Sequence, residues 1–137
     1  MKVILDEGAK MPTKAHTTDA GWDLYAREDK IVPARASATF DTGVHIELPH
    51  RTVGLLKSKS GLNVKFGITS EGVIDVGYTG SIVAKLYNNS FNDYRVKKGD
   101  KITQLVIVPL ALVDSLEVVE VFSETARGDN GFGSSGR

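Results

Sequence analysis

A carboxylate and a phenol three positions apart, framed by glycines, are the first candidates for chemistry: residues 72–80 read G-V-I-D-V-G-Y-T-G, with Asp75 and Tyr78 at its centre. Asp75-Val76-Gly77-Tyr78 fits a β-turn, because Asp is favoured at the first position and Gly at the third supplies the positive φ of a type II turn. Such a turn brings the two side chains together. Gly72 and Gly80, lacking a Cβ, would let a ligand approach the backbone itself. The plainer reading is that Asp75 opens a tight turn and Tyr78 covers an edge.

Other stretches offer groups that suit an anionic ligand. Residues 58–62, S-K-S-G-L, set Lys59, Ser60 and Gly61 at the start of a short helical pattern, where backbone donors and the helix dipole favour anions. The same residues also read as a capped helix with a solvated lysine. Residues 126–137, A-R-G-D-N-G-F-G-S-S-G-R, combine the Arg127 guanidinium, the hydroxyls of Ser134 and Ser135, glycine amides including that of Gly133, and the stacking face of Phe132. A flexible linker has this composition too. The G-x-G-x-x-G match there is not a dinucleotide fingerprint, because no helix follows to hold a pyrophosphate. Asp23 lies within an apolar strand pattern, A-G-W-D-L-Y, and needs a partner there, either a structural one such as an arginine or the hydration shell of a metal. Residues 98–101, K-G-D-K, read as a hairpin turn, and Gln104 as a strand amide bonded to backbone. His16, His45 and His50 show no metal-ligand spacing, and His45 reads as part of a wet strand face. A Walker sequence and G-x-S-x-G are both absent.

The elements that position these groups are short. Apolar, β-branched runs at residues 3–5, 22–26, 30–32, 38–41, 44–48, 53–56, 81–88 and 102–110 are separated by Gly, Pro, Asp and Asn, the pattern of many short strands. Residues 44–48 alternate apolar and polar, whereas 102–110 is apolar on both faces and reads as a central strand. Only residues 60–66 look helical, with Ser60 as the N-cap. Residues 116–121 tilt to strand through Val118, Val119 and Val121. Around ten strands, one short helix and a flexible C-terminal tail predict an all-β, jelly-roll-like barrel.

A length of 137 residues that are 41% hydrophobic suits one domain, with residues 1–125 as barrel core and 126–137 as a mobile lid. Lysine plus arginine equals aspartate plus glutamate, 17 each, so no basic field attracts nucleic acid. With no cysteine, disulfides, thiolate nucleophiles and Cys-zinc sites are excluded. The N-terminal apolar run is broken by charge within a few residues, which predicts no signal peptide, no membrane span, a mature start at Met1 and a cytoplasmic setting.

In their order along the chain, A-G-W-D-L-Y, S-K-S-G-L, G-V-I-D-V-G-Y-T-G, K-G-D-K-I-T-Q-L and R-G-D-N-G-F-G-S-S-G resemble the five motifs of the trimeric deoxyuridine triphosphatase (dUTPase) family, over residues 20–136. The resemblance implies a jelly-roll homotrimer with sites shared between subunits, hydrolysing dUTP to dUMP and pyrophosphate with Mg2+, which keeps uracil out of DNA. By the same resemblance Asp75 activates the attacking water and Tyr78 packs under the deoxyribose. Gly72, Val73, Ile74 and Val83 read uracil, while Lys59, Ser60, Gly61 and Gln104 hold phosphates. Asp23 steadies the magnesium hydration shell through water. Arg127, Gly133, Ser134 and Ser135 take the terminal phosphate, and Phe132 stacks on the base. A triphosphate carries about four negative charges, more than Lys59 and Arg127 balance, which independently calls for a divalent ion held mainly by phosphate and water.

The chain departs from the commonest family pattern at Ser58-Lys59, where Pro-Arg is usual, at Trp22 for Tyr, at Ser135 for Thr, and at Asp129 in the tail. A point charge at Lys59 would weaken geometric control of the phosphates relative to a forked guanidinium. The related deoxycytidine triphosphate deaminases carry a glutamate soon after the third motif, where this chain has Ser81-Ile82-Val83. A binding protein without catalysis on the same scaffold is the reading from a different class, and intact Asp75, Arg127 and Phe132 speak against it.

Overall fold

Alternation in sequence becomes alternation in burial. In the computed structural model, which describes residues 1–131, Val44 and Ile46 are buried while His45 is half-buried and Glu47 exposed. This strand is the fifth of ten: β1 (Lys2–Leu5), β2 (Gly21–Tyr25), β3 (Lys30–Val32), β4 (Ser37–Asp41), β5 (Val44–Glu47), β6 (Thr52–Lys57), then helix α1 (Ser60–Phe66), β7 (Ile68–Ile74), β8 (Val83–Asn88), β9 (Tyr94–Val96) and β10 (Lys101–Pro109). The main sheet runs β2-β10-β6-β7-β8-β4 and curls into a half-barrel of jelly-roll type, with the small antiparallel pairs β1-β5 and β3-β9 set against it. As its two apolar faces require, β10 is central, with β2 and β6 on either side.

Side chains on the inner face collect in two cores. One joins Leu24, Leu56, Ile74 and Leu105 of the main sheet to Val44 and Ile46 of β5. The other joins Phe40, Ile68, Leu86 and Ile102 to Val32 of β3 and Val96 of β9. Each small pair thus closes one end of the curled sheet by giving its apolar face something to bury.

Several expectations are corrected. Strands β7 and β9 are additional to those expected from sequence. The N-cap of α1 is Lys59, and Ser60 is the first helical residue; the cap makes no side-chain hydrogen bond. The turn at Gly99, whose φ is +89°, does not join a hairpin, since β9 pairs with β3 and β10 with β2 and β6. Residues 116–121 form no strand. After Leu110 N–H donates to Arg51 O at 2.8 Å, residues 111–131 leave the body and are exposed throughout, Val118 by 99%. A strand needs a neighbour for its backbone groups, and among the described residues this segment pairs with none.

Candidate active site

The outward face of the main sheet carries a polar row: Gln104 is in register with Asp23 on β2 and with Lys57 on β6, and Lys57 with Glu71 on β7. Asp23 is only 4% exposed, and two ammonium groups close over it: Lys59 Nζ donates to Oδ1, and Lys101 Nζ lies 2.8 Å from Oδ2. Burial pushes the Asp23 carboxyl up, but the hydrogen bonds from Lys101 and Lys59 and their charges outweigh it and hold the group below its usual value. The bond to Asp23, then its charge, pushes Lys101 up. The partner that Asp23 needed is therefore a pair of lysines. Lys101 was missed in the sequence because its turn hid a role that only the fold creates.

Next to this pair the β6–α1 connection is pinned. Ser58 Oγ accepts from Ser70 N–H at 2.9 Å and donates to Ser70 O at 3.2 Å, while Gln104 Nε2 donates to Ser58 O at 3.1 Å. That fixes Lys59 at the helix start, followed by Ser60 and Gly61 in the first turn, where amides lack intrahelical acceptors and no acidic residue competes.

At the other end of β7 the expected turn is formed. Tyr78 N–H donates to Asp75 O at 3.2 Å, and Gly77 has φ +91°, the left-handed value that a third-position glycine supplies. The Asp75 carboxylate is exposed and bonds to nothing among the described residues. Tyr78 Oη donates to Ser81 O at 2.9 Å, and the ring lies so close to Gly80 that a Cβ there would sit 2.5 Å from the hydroxyl. At Gly72 a Cβ would meet Leu56 Cδ1 at 3.0 Å. At both positions a Cβ would collide with the chain's own side chains, which accounts for the glycines without reference to a ligand.

The β7-β8 hairpin is paired only from Ile68↔Asn88 to Ser70↔Leu86. Beyond that rung β7 pairs with β6 and Val83 with Asp41 of β4, so the hairpin splays. Gly72, Val73 and Ile74 are left with one unpaired backbone edge, and Val83 lies on the opposite arm. An open edge of alternating N–H and C=O groups is suited to the polar rim of a flat heterocycle.

One chain does not bring all the predicted residues together. Ser58, beside Lys59, is bonded to Ser70, and Asp75 lies five residues on, just past the end of β7, so at strand rise the two ends are about 17 Å apart. Arg127 is exposed in the departing segment, its Nε donating to Asn130 O at 3.1 Å. Phe132, Gly133, Ser134 and Ser135, and the lid closure expected of them, lie outside the described residues.

A family model described as dUTPase matches residues 7–136. The deoxyuridine 5'-triphosphate nucleotidohydrolase of Clostridium tetani (strain Massachusetts / E88) is 44% identical over 137 residues, covering 98% of this chain and 94% of its own. The solved structure of the Staphylococcus bacteriophage 80alpha dUTPase with dUPNHPP superposes with a TM-score of 0.91 at 34% identity, covering 99% of this chain and 98% of that one. A structure of the dUTPase from phage phi11 of S. aureus, described with coordination of a structural Mg(II) ion, has a TM-score of 0.80 at 32% identity over 88% of this chain and 97% of that one.

Proposed function

The chain belongs to the dUTPase family, and from that premise we propose how its own residues divide the hydrolysis of dUTP to dUMP and pyrophosphate. Asp75, exposed and unbonded, orients the attacking water and takes its proton, the work that displacement at phosphorus leaves to a base once positioning and charge are supplied. Tyr78 packs against the deoxyribose and excludes a 2'-hydroxyl. The splayed hairpin, Gly72 to Ile74 facing Val83, receives uracil on its open backbone edge. Lys59, the first-turn amides of Ser60 and Gly61, and Gln104 hold phosphates. Arg127 and the tail residues Phe132, Gly133, Ser134 and Ser135 cover the nucleotide.

The observation that carries the arrangement is the separation of about 17 Å between the turn end and the phosphate end within one chain. A triphosphate site needs both ends, so we assign them to different copies, in the homotrimer the family resemblance implies. Two features support that assembly. Val53, Leu55, Val106 and Val108 form half-buried apolar rungs on the outside of the sheet, with Val73 exposed beside them. Residues 111–131 run off the body with Leu116, Val118, Val121 and Phe122 uncovered, as an arm that reaches another copy would be.

Magnesium fits this donor set as a hydrated ion. Asp23 keeps lone pairs that could accept from its water, while no group of three or more His, Asp or Glu side chains among the described residues would form a protein cage, leaving the inner shell to phosphate oxygens. When bound, the ion neutralises charge on the triphosphate. No helix among the described residues is long and apolar enough to cross a membrane, and the cytoplasm is the compartment we propose.

Subunit complementation tests the sharing. Asp75→Asn and a chain truncated after Ala126 are each expected to be inactive alone and to regain dUTP hydrolysis when unfolded and refolded together. Failure to regain any, with light scattering showing monomers at micromolar concentration, overturns the shared site.

A further inference from the structure

Residues 79–81, by which the Asp75 turn returns toward β8, are gripped from two sides by one path of charged side chains. His45 Nδ1 lies 2.8 Å from Thr79 O, and its Nε2 lies 3.1 Å from Asp6 Oδ1. The other oxygen of Asp6 accepts from Arg27 Nη1 at 3.1 Å, and the same nitrogen reaches Asp41 Oδ2 at 3.5 Å. Asp41 Oδ1 in turn accepts from Ser81 Oγ and, at 3.0 Å, from Gly43 N–H. The path leaves the limb at Thr79 and rejoins it at Ser81, whose carbonyl is the acceptor for Tyr78 Oη.

The frame behind this path is rigid. Asp6 N–H donates to Gly43 O at 2.9 Å, and Gly43, with φ +65°, leaves the space that Arg27 occupies, since a Cβ there would stand 2.4 Å from Nη1. The imidazole itself faces two acceptors, a carbonyl and a carboxylate. A neutral ring carries one N–H and can satisfy only one of them, so both bonds together require the imidazolium. The bond to the Thr79 carbonyl holds His45 above its ordinary value, with Asp6 and Asp41 adding to it against the opposing effect of desolvation. Asp6 faces the ring from the end of β1 and Asp41 from the end of β4, with Arg27 between them. The Lys2–Glu47 ion pair, at 2.8 Å, flanks the ring on the same two paired strands.

We propose that His45, Asp6, Arg27 and Asp41 are positioning residues for sugar discrimination: with His45 doubly protonated, they hold residues 78–81 so that Tyr78 stays closed against C2'. This rests on the assignment of Tyr78 to the deoxyribose. Loss of the His45 proton surrenders one of the two bonds and loosens the limb, so UTP is excluded less well as pH rises. Effects of pH on the shared chemical step and on the triphosphate act on dUTP and UTP alike and cancel in their ratio.

The test is kcat/KM for UTP relative to dUTP in the full-length protein, measured from about pH 6 to about pH 9, the range that brackets a raised histidine. The wild-type ratio is expected to rise by a factor of about 3 to 10 across it, the equivalent of one ordinary hydrogen bond. His45→Gln should be flat with pH and fixed near the high-pH ratio, and Asp41→Asn should raise the ratio at every pH. A pH-independent wild-type ratio, or a His45→Gln profile that follows wild type, overturns the relay. Should His45→Gln not fold, Asp6→Ala removes the acceptor at Nε2 and is expected to flatten the profile in the same way. Tyr78→Ala separates the two ideas. If it leaves the ratio unchanged, the sugar assignment fails; if it raises the ratio while the relay variants match wild type, only the relay fails.

Discussion

Asp23 is 4% exposed and bonded by two ammonium groups, whereas Asp75, at the far end of the same sheet, stands exposed with no bond to its carboxylate among the described residues. Around Asp23 the polar groups are linked in a chain: Gln104 to Ser58, Ser58 to the Ser70 backbone, and Lys59 and Lys101 to the carboxylate itself. A buried carboxylate is tolerable only with such partners, and in return it fixes where the cations stand. The turn end has the opposite economy, because Asp75 sits in water and needs no partner to be stable. In the proposed function one carboxylate is an anchor that orders charge for a phosphate chain, and the other is left unengaged, as a base that must meet a water molecule has to be.

The contrast is sharpest under Asp75→Asn. Turnover is expected to fall about 10²- to 10⁴-fold with nucleotide affinity largely kept. Its unfolding midpoint in urea should be unchanged, and a marked loss of stability would show that Asp75 is structural after all. Asp23→Asn should behave in the reverse sense, costing about 1–2 kcal/mol in urea unfolding, a figure kept small because Lys59 and Lys101 are partly exposed and can turn to solvent. Asp23 also sets a pH dependence. Since its folded value lies below the unfolded one of about 3.9, its contribution is complete above that pH and disappears as pH falls through the lowered folded value. Acid unfolding of wild type and Asp23→Asn should therefore converge at low pH, and curves that stay parallel would mean the ion pairs contribute nothing. The smallest effect is expected of Lys59→Arg, which should lower KM for dUTP by about 2- to 5-fold by offering a fork to the phosphates. A raised KM would show that Lys59 serves Asp23 more than the substrate.

What the sequence made legible was local. The turn at Asp75, the helix over residues 60–66 and the alternation of β5 each depend on residues a few positions apart, and each is where its pattern puts it, although the helix cap falls on Lys59 and not on Ser60. Strand β7 was hidden because its inward positions include Ser70 and Gly72, which break the apolar alternation; the structure shows Gly72 yielding its space to Leu56. Residues 116–121 have the β-branched composition of a strand but no neighbour in their own chain, and propensity without a partner makes no ladder. Lys101 and His45 looked like a turn lysine and a wet-face histidine. Their partners lie far off in sequence, 39 residues in the case of His45 and Asp6, and no spacing rule reaches that distance.

From Glu71 to Ile74, β7 is paired with β6 on one side and with nothing on the other. A reading edge made of main-chain groups presents the same order of donors and acceptors whatever side chains hang from it. Codon changes at positions 72–74 can therefore tighten or loosen the fit, but they cannot spell a different base. Only an insertion or deletion that slips the frame of β7 against β6 would shift that order, and a one-residue slip would also turn Ile74 out of the core. In the proposed arrangement, base preference in this chain is thus tied to the register of β7 against β6, and so to the packing that sets it.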